Sequence, residues 1–375
     1  MSISLYVHIP FCIKRCIYCD FVSGAYTPDK AAAYLVALKK EISSIPADRP
    51  ISTLFIGGGT PTVLTADQLS DLIGHIFEHF DFTNDHESTI EANPGTLDIA
   101  KLKAIRSAGI NRISIGVQSF NNDELVFLGR IHSGSEAEEA VRLARDAGFK
   151  NIGVDLIYGI PGQDIETWKK TLEKAASLKP NHISAYELTV EEGTELYKMR
   201  KDMLKEDEII GMYEHTIEYL KAEGYLHYEI SNFGLPGSLS RHNLNYWDRG
   251  DYYGAGTGAH SFVENKRSYN TADLKQYLEF VPGKKSPVEH SEEITPENAI
   301  SEAIFLGLRK TAGINIEAFS RRYKISLPVL YEKEIKELEE AGLIETTCAA
   351  CSYETDIRLT QKGLILSNEV FVRFI

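Results

Sequence analysis

Cys12, Cys16 and Cys19 stand in the run Cys-Ile-Lys-Arg-Cys-Ile-Tyr-Cys, a CxxxCxxC spacing directly after a short apolar stretch. Three thiolates in one tight loop can hold three irons of a [4Fe-4S] cluster and leave the fourth iron open to an outside ligand. A zinc site would want a fourth protein ligand, which a distant His or Asp would have to supply. Three unrelated buried thiols is the blander alternative, and it sits badly in a chain with five cysteines in 375 residues. That odd, low count also argues against a disulfide framework, so the thiols are expected to be reduced and free to bind metal. Lys14 and Arg15 inside the loop favour the thiolate form. Cys348 and Cys351 form a separate CxxC. No second pair faces it, so two free or labile thiols is the better reading.

These groups need elements to position them. β-Branched runs at Ser4–Ile9, Thr53–Gly57, Ser88–Ala92, Arg112–Val117, Asn151–Ile157 and His182–Leu188 read as strands. Between them, amphipathic stretches at Lys30–Ile45, Ala66–Phe80, Leu97–Ala108, Ser135–Ala147 and Ile165–Leu178 read as helices, with Gly109 and Gly148 just past two of the ends. Repeated βα units imply a parallel sheet covered by its crossover helices, and a doubly wound sheet or an open barrel both fit. In either, chemistry belongs at the carboxyl ends of the strands. There stand the cysteine loop, Gly58-Gly59-Thr60, Glu91, Gln118 and, at or after later strand ends, Arg130 and Asp155. The glycines would let backbone approach a ligand and turn N–H groups toward its carboxylate. Singly, each polar residue is more often a helix cap or a surface ion pair; their recurrence at successive strand ends raises them.

Composition bounds the rest. With 43% hydrophobic and 25% charged residues the composition is that of an ordinary globular protein, and the strand–helix alternation makes it an α/β one. Its net charge of −14 opposes binding to nucleic acid or to an anionic membrane surface. The N-terminal apolar run is broken by His8 and Pro10, and no window approaches the ~18–20 apolar residues of a membrane span, so a cytoplasmic protein is expected. The expected organisation is a βα core over 1–195, an extension over 196–281, a linker over 282–296 and a C-terminal domain over 297–375. In that last part helices at Asn298–Leu308, Ile316–Tyr323 and Pro328–Ala341 precede strands at Leu343–Thr347 and Ile357–Thr360, a winged-helix-like pattern. The acidic run Glu332–Glu340 lacks the basic face of a groove reader, which points to packing or a protein partner. Gly254-Ala-Gly-Thr-Gly258 invites a dinucleotide reading, but no clear strand leads in and no helix leads out. It is expected to be a backbone turn near the site, with His260 a weaker candidate iron ligand.

The CxxxCxxC after the first strand of a βα series resembles the radical S-adenosylmethionine (SAM) superfamily. More narrowly, Tyr6-Val-His-Ile-Pro-Phe, Tyr18-Cys-Asp-Phe21, Gly57-Gly-Gly-Thr-Pro-Thr62, Glu91-Ala-Asn-Pro94, Ser114-Ile-Gly-Val-Gln-Ser-Phe120, Leu128-Gly-Arg130, Asp155-Leu-Ile-Tyr-Gly-Ile-Pro161 and Leu359-Thr-Gln-Lys-Gly363 resemble the HemN/HemW family, the oxygen-independent coproporphyrinogen III oxidase-like branch. The resemblance runs essentially the whole chain. It implies a partial (β/α)6 barrel with a helical, winged-helix-like C-terminal domain. It also implies a [4Fe-4S] cluster on Cys12, Cys16 and Cys19, and SAM held by Tyr6, Tyr18, Gly58, Gly59, Thr60, Glu91, Gln118, Arg130 and Asp155. Oxidases of the branch carry a fourth cysteine two residues past the triad and a longer N-terminal extension; here position 21 is Phe21 and eleven residues precede Cys12. Arg241-His242-Asn-Leu-Asn-Tyr246-Trp247 matches the HNxxYW signature tied to haem in the HemW part of the family. An imidazole can ligate haem iron and a Tyr-Trp pair can flank a porphyrin, although a His beside aromatics is more often packed and hydrogen-bonded. The implied function is a haem chaperone with His242 as ligand, delivering haem to apo haem proteins of respiration, with a homodimer implied as well. The rivals are an oxygen-independent coproporphyrinogen III dehydrogenase and, last, a zinc-holding interaction protein.

Overall fold

The computed structural model describes residues 2–280, 285–348 and 355–375. Its first half alternates strand and helix: β1 (Ile3–Ile9), the two-residue β2 (Phe11–Cys12) and β3 (Gly24–Ala25), α1 (Pro28–Ile42), β4 (Ile51–Gly58), α2 (Ala66–His79), β5 (Phe82–Ala92), α3 (Ile99–Ser107), β6 (Arg112–Gln118), α4 (Asn122–Leu128), α5 (Gly134–Asp146), β7 (Asn151–Tyr158), α6 (Ile165–Ser177) and β8 (His182–Glu187). Helix starts follow the caps: Thr65 and Ser133 each close a reciprocal capping box, with Gln68 and Glu136. β1, β4, β5, β6, β7 and β8 pair in parallel in chain order. Without a reversal in strand order, right-handed crossovers put every helix on the same side, which removes the doubly wound alternative. Period-2 alternation then divides each strand. On β1, Leu5, Val7 and Ile9 are fully buried in a core with Leu38, Ile56 and Ile73, each worth ~1.5–3 kcal/mol of burial. Ser4, Tyr6 and His8 fall on the opposite face, away from the helices.

The second part is α7 (Glu206–Ala222), β9 (Leu226–Glu229), β10 (Asn232–Gly234), α8 (Arg241–Trp247), β11 (Tyr252–Ala255), β12 (His260–Val263), β13 (Lys266–Asn270), α9 (Leu274–Phe280) and β14 (Val288–Glu293). β10 joins β8 and β11 joins β1, extending the sheet at both edges to twelve strands. Three expectations change here. A strand does lead into Gly254–Gly258, because Tyr252–Ala255 pairs in parallel with β1; what leads out is strand β12 rather than a helix. Residues 288–293, inside the expected linker, form β14 by pairing with β13, although every one of them is exposed and the run has no apolar alternation. His260, expected behind a turn near the site, is exposed on β12 against the ring of Tyr269, 5.2 Å away, and does not line the cysteine cavity.

The last part comprises α10 (Pro296–Gly307), β15 (Ile314–Asn315), α11 (Ile316–Tyr323), α12 (Leu327–Leu330), α13 (Glu332–Glu340), β16 (Ile344–Cys348), β17 (Thr355–Leu359), α14 (Gln361–Ile365) and α15 (Ser367–Phe371). A three-stranded sheet, β15-β17-β16, packs with these helices around its own core of Ile304, Leu308, Phe319, Leu338 and Ile357. The single helix expected over 328–341 is split at Tyr331, whose backbone leaves the helical region. Cys351 and the side chain of Cys348 lie outside the described residues. Among the described residues no helix is long and apolar enough to cross a membrane.

Candidate functional site

The cysteine loop leaves the carboxyl end of β1 and is tied down where it returns. His8 Nε2 meets the Val22 carbonyl at 2.7 Å, Gly24 N donates to Pro10 O at 2.8 Å, and Tyr26 N donates to Cys12 O at 2.9 Å. Within it, Cys12 Sγ lies 3.5 Å from Thr60 Oγ1, and Cys16 Sγ accepts from Arg130 Nη1 at 3.4 Å. The cation aimed at a thiol is therefore Arg130. Lys14 is exposed, and Arg15 directs its Nε to the Cys19 carbonyl. Burial pushes the Cys12 and Cys19 thiols up, which keeps them protonated until a metal centre displaces the protons.

All three cysteines open on one cavity of about 560 Å³, which Tyr18, Gly58, Gly59, Thr60, Glu91, Gln118, Arg130 and Asp155 also line. Residues far apart in sequence are thus brought together as expected, although Asp155 lies within β7 rather than at its end and Arg130 follows α4. The glycine turn, however, does not offer its N–H groups. Gly58 N donates to Glu91 Oε2 (3.1 Å), Gly59 N to Ile9 O (2.8 Å) and Thr60 N to Phe11 O (2.8 Å). What it contributes is closeness: a Cβ on Gly59 would lie 2.7 Å from Phe11 O, so only glycine lets β4 run against the start of the cysteine loop. Burial, then the neighbouring Asp155, pushes the Glu91 carboxyl up to about 8. Asp155 accepts from Ser114 Oγ at 3.1 and 3.0 Å. Gln118 sits at φ 68°, rare for a residue with a Cβ and typical of functional turns.

Two expected site residues lie deeper. Tyr6 and His242 line an inner chamber of about 240 Å³ that shares Gly58, Glu91, Ser114 and Asp155 with the larger cavity. Tyr6 OH meets His8 Nδ1 at 2.9 Å. His242 is 1% exposed and stacks on Phe55, with Nδ1 2.7 Å from Thr53 Oγ1 and Nε2 2.9 Å from Tyr246 OH. Burial and then Arg112 push its imidazole down to about 3, so it is neutral at pH 7. Both ring nitrogens are engaged, so ligation of iron requires one of these bonds to break. Sequence reasoning passed over His8, Arg112 and Glu87, the last two a buried ion pair at 3.6 Å. The available signal was parity: His8 shares a face of β1 with Tyr6.

The donor set tests what the cavity can hold. Among the described residues no three His, Cys, Asp or Glu side chains converge closely enough for a single metal ion. A [4Fe-4S] cube needs no such convergence, since each thiolate binds a different iron. Residues 6–175 match the Radical SAM superfamily and residues 294–366 the HemN C-terminal domain. Over 99% of its length the chain is 40% identical to the "Heme chaperone HemW" of Lactococcus lactis, covering 97% of that protein. This chain belongs to the HemW family of radical SAM proteins. The HemW protein of Bacillus subtilis is 38% identical over 99% of both chains, and that of Escherichia coli 40% over 70% of both. In structure, this HemW-family chain superposes on the coproporphyrinogen III oxidase HemN of Escherichia coli, a radical SAM enzyme, with a TM-score of 0.86 and 26% identity, covering all of this chain and 90% of that one. The mixed α/β fold with a large parallel sheet is therefore common to both proteins.

Proposed function

We propose that this protein is a cytoplasmic haem chaperone of the HemW type, built as a partial (β/α)6 barrel with a winged-helix-like C-terminal domain. The observation that carries the reading is full-length similarity to proteins named haem chaperones, in a chain with Phe21 where the oxidase pattern has a fourth cysteine. Cys12, Cys16 and Cys19 would hold a [4Fe-4S] cluster. SAM would lie against Gly58, Gly59 and Thr60, with Tyr18, Glu91, Gln118, Arg130 and Asp155 around it and Tyr6 behind Glu91. When bound, these groups supply redox and radical chemistry, and the protein supplies placement. Arg130 bridges Cys16 Sγ and Gly116 O, Glu91 is pinned by the Gly58 N–H, and Asp155 is oriented by Ser114. Haem is the cargo, with His242 its iron ligand once α8 loosens, and an apo haem protein of respiration the recipient. A homodimer belongs to the same reading.

Haem titration of the anaerobically reconstituted protein tests this, with a Soret shift expected for the wild type and lost in His242→Ala. Cys12→Ala should abolish the cluster chromophore. The likeness to HemN keeps one rival, coproporphyrinogen III dehydrogenase. Formation of protoporphyrinogen under anaerobic reducing conditions would overturn the chaperone reading in its favour.

A further inference from the structure

Helix α8 carries His242 and is seven residues long, too short to hold its own shape, so its state is set by whatever grips its ends. At the N-terminus the grip is the core sheet. Glu87 on β5 accepts from the backbone N–H of Arg241 at 3.2 Å and of His242 at 3.1 Å, pairing two donors that a helix start leaves free and placing a carboxylate where the helix dipole favours it. At the other end the grip comes from a different part of the chain. Arg322 on α11 donates from Nη1 to Asp248 O at 2.9 Å and from Nη2 to Arg249 O at 3.0 Å. Lys310 pairs with the Asp248 carboxylate, and the Arg309 guanidinium lies 4.5 Å over the Trp247 ring. All three cations belong to the segment that matches the HemN C-terminal domain.

We propose that the C-terminal domain controls access to His242 by clamping the end of α8, with Arg322 as the positioning residue. This rests on the reading of His242 as the haem ligand. With the clamp closed, Tyr246 stays on His242 Nε2 and the imidazole remains buried. With the carbonyls of Asp248 and Arg249 released, the end of α8 loses two of its outside partners, and its last turn can carry the Tyr246 hydroxyl off His242 Nε2 while Glu87 keeps the helix start in place. Arg322 is exposed, so its replacement leaves the core intact.

The test uses full-length Arg322→Ala and Arg322→Lys. Hydrogen exchange of the α8 segment, measured without haem, should quicken about tenfold in Arg322→Ala, with β6 unchanged, and return toward wild type in Arg322→Lys, which keeps a donor. Haem uptake, followed at the Soret band, should quicken by a similar factor. Unchanged α8 exchange in both Arg322→Ala and the Arg309→Ala/Arg322→Ala double variant overturns the clamp. Faster exchange with unchanged uptake overturns its coupling to haem. Wild-type haem binding in His242→Ala overturns the ligand reading alone and leaves the exchange result to judge the clamp.

Discussion

His8 Nε2 and the Val22 carbonyl oxygen are 2.7 Å apart, so the strand that launches the cysteine loop also holds the point at which the loop returns. For Nε2 to donate there, Nδ1 must accept, and Tyr6 OH is its donor at 2.9 Å. Burial holds the imidazole below its ordinary range, which keeps this neutral tautomer at pH 7. His8→Leu removes the donor and leaves the Val22 carbonyl without it, at about 1–3 kcal/mol. The expected outcome is fewer irons per chain after anaerobic reconstitution and faster cluster loss in air, with His8→Gln intermediate. Equal iron and sulfide content in His8→Leu and wild type would refute the tether.

Gly59 and Gly74 give a paired test of close approach. A methyl at Gly59 would meet Phe11 O at 2.7 Å and Phe11 N at 2.9 Å, backbone that leads straight into Cys12. Gly59→Ala must therefore shift the loop, and is expected to cost about 1–3 kcal/mol and to lower cluster retention. Gly74 lies inside α2 with nothing within 4 Å of an added methyl. Gly74→Ala should stabilise by about 0.5–1 kcal/mol and leave the cluster unaffected. Thermal melting and iron assay of the two variants separate the effects.

Glu91 ties stability to pH. Its carboxyl is raised from an ordinary 4.5 to about 8 in the fold, so the folded state holds a proton that the unfolded chain has released. Stability from this group is complete below pH 4.5 and is lost as pH rises to about 8. Glu91→Gln keeps an acceptor for the Gly58 N–H and has nothing to ionise. The apo variant should match wild type near pH 4.5 and exceed it at pH 9, by up to about 5 kcal/mol for a shift of this size. The same change should weaken SAM binding about tenfold or more, because the cofactor's ammonium can draw the Glu91 proton off as it binds, whereas glutamine cannot become a charged acceptor. Urea midpoints at the two pH values check the first claim, and equilibrium dialysis the second.

What could be read from the chain followed the range of the interaction. Arg112–Val117 and Asn151–Ile157 were legible because core strands are continuous β-branched runs whose burial is local information. β14 was not, since Val288–Glu293 owes its strand state to pairing with β13 and buries nothing itself. Tyr252–Ala255 was missed for a related reason: four residues ending in Gly254-Ala255 carry little pattern, and the parallel partner is β1, far back in the chain. The site divides the same way. Cys12, Cys16 and Cys19 announce themselves by spacing, whereas the N–H groups of Gly58, Gly59 and Thr60 looked free only because their acceptors belong to other strands and loops. For His242, the partner Tyr246 at i+4 was visible on one helix face. Thr53 and Glu87, 189 and 155 residues earlier, were not.

Those two ring contacts of His242 make opposite predictions. Thr53 Oγ1 donates to Ser4 Oγ at 2.7 Å, so toward the ring it acts as the acceptor of Nδ1–H. That fixes the tautomer whose Nε2 lone pair is basic, the one iron would take, and Tyr246 OH occupies it at 2.9 Å. Tyr246 is thus a competitor of haem and Thr53 a support for it. Tyr246→Phe keeps the ring packed against Tyr252 and removes only the hydroxyl. It should raise haem affinity about three- to tenfold, the worth of one hydrogen bond. Thr53→Val keeps the shape and removes the acceptor that orients Nδ1–H. It should lower affinity and shift the Soret maximum, because the ligand's basicity changes. Haem titrations of the two variants beside wild type decide the point, and a fall in affinity in Tyr246→Phe would show that the tyrosine hydroxyl helps to hold haem instead of competing with it.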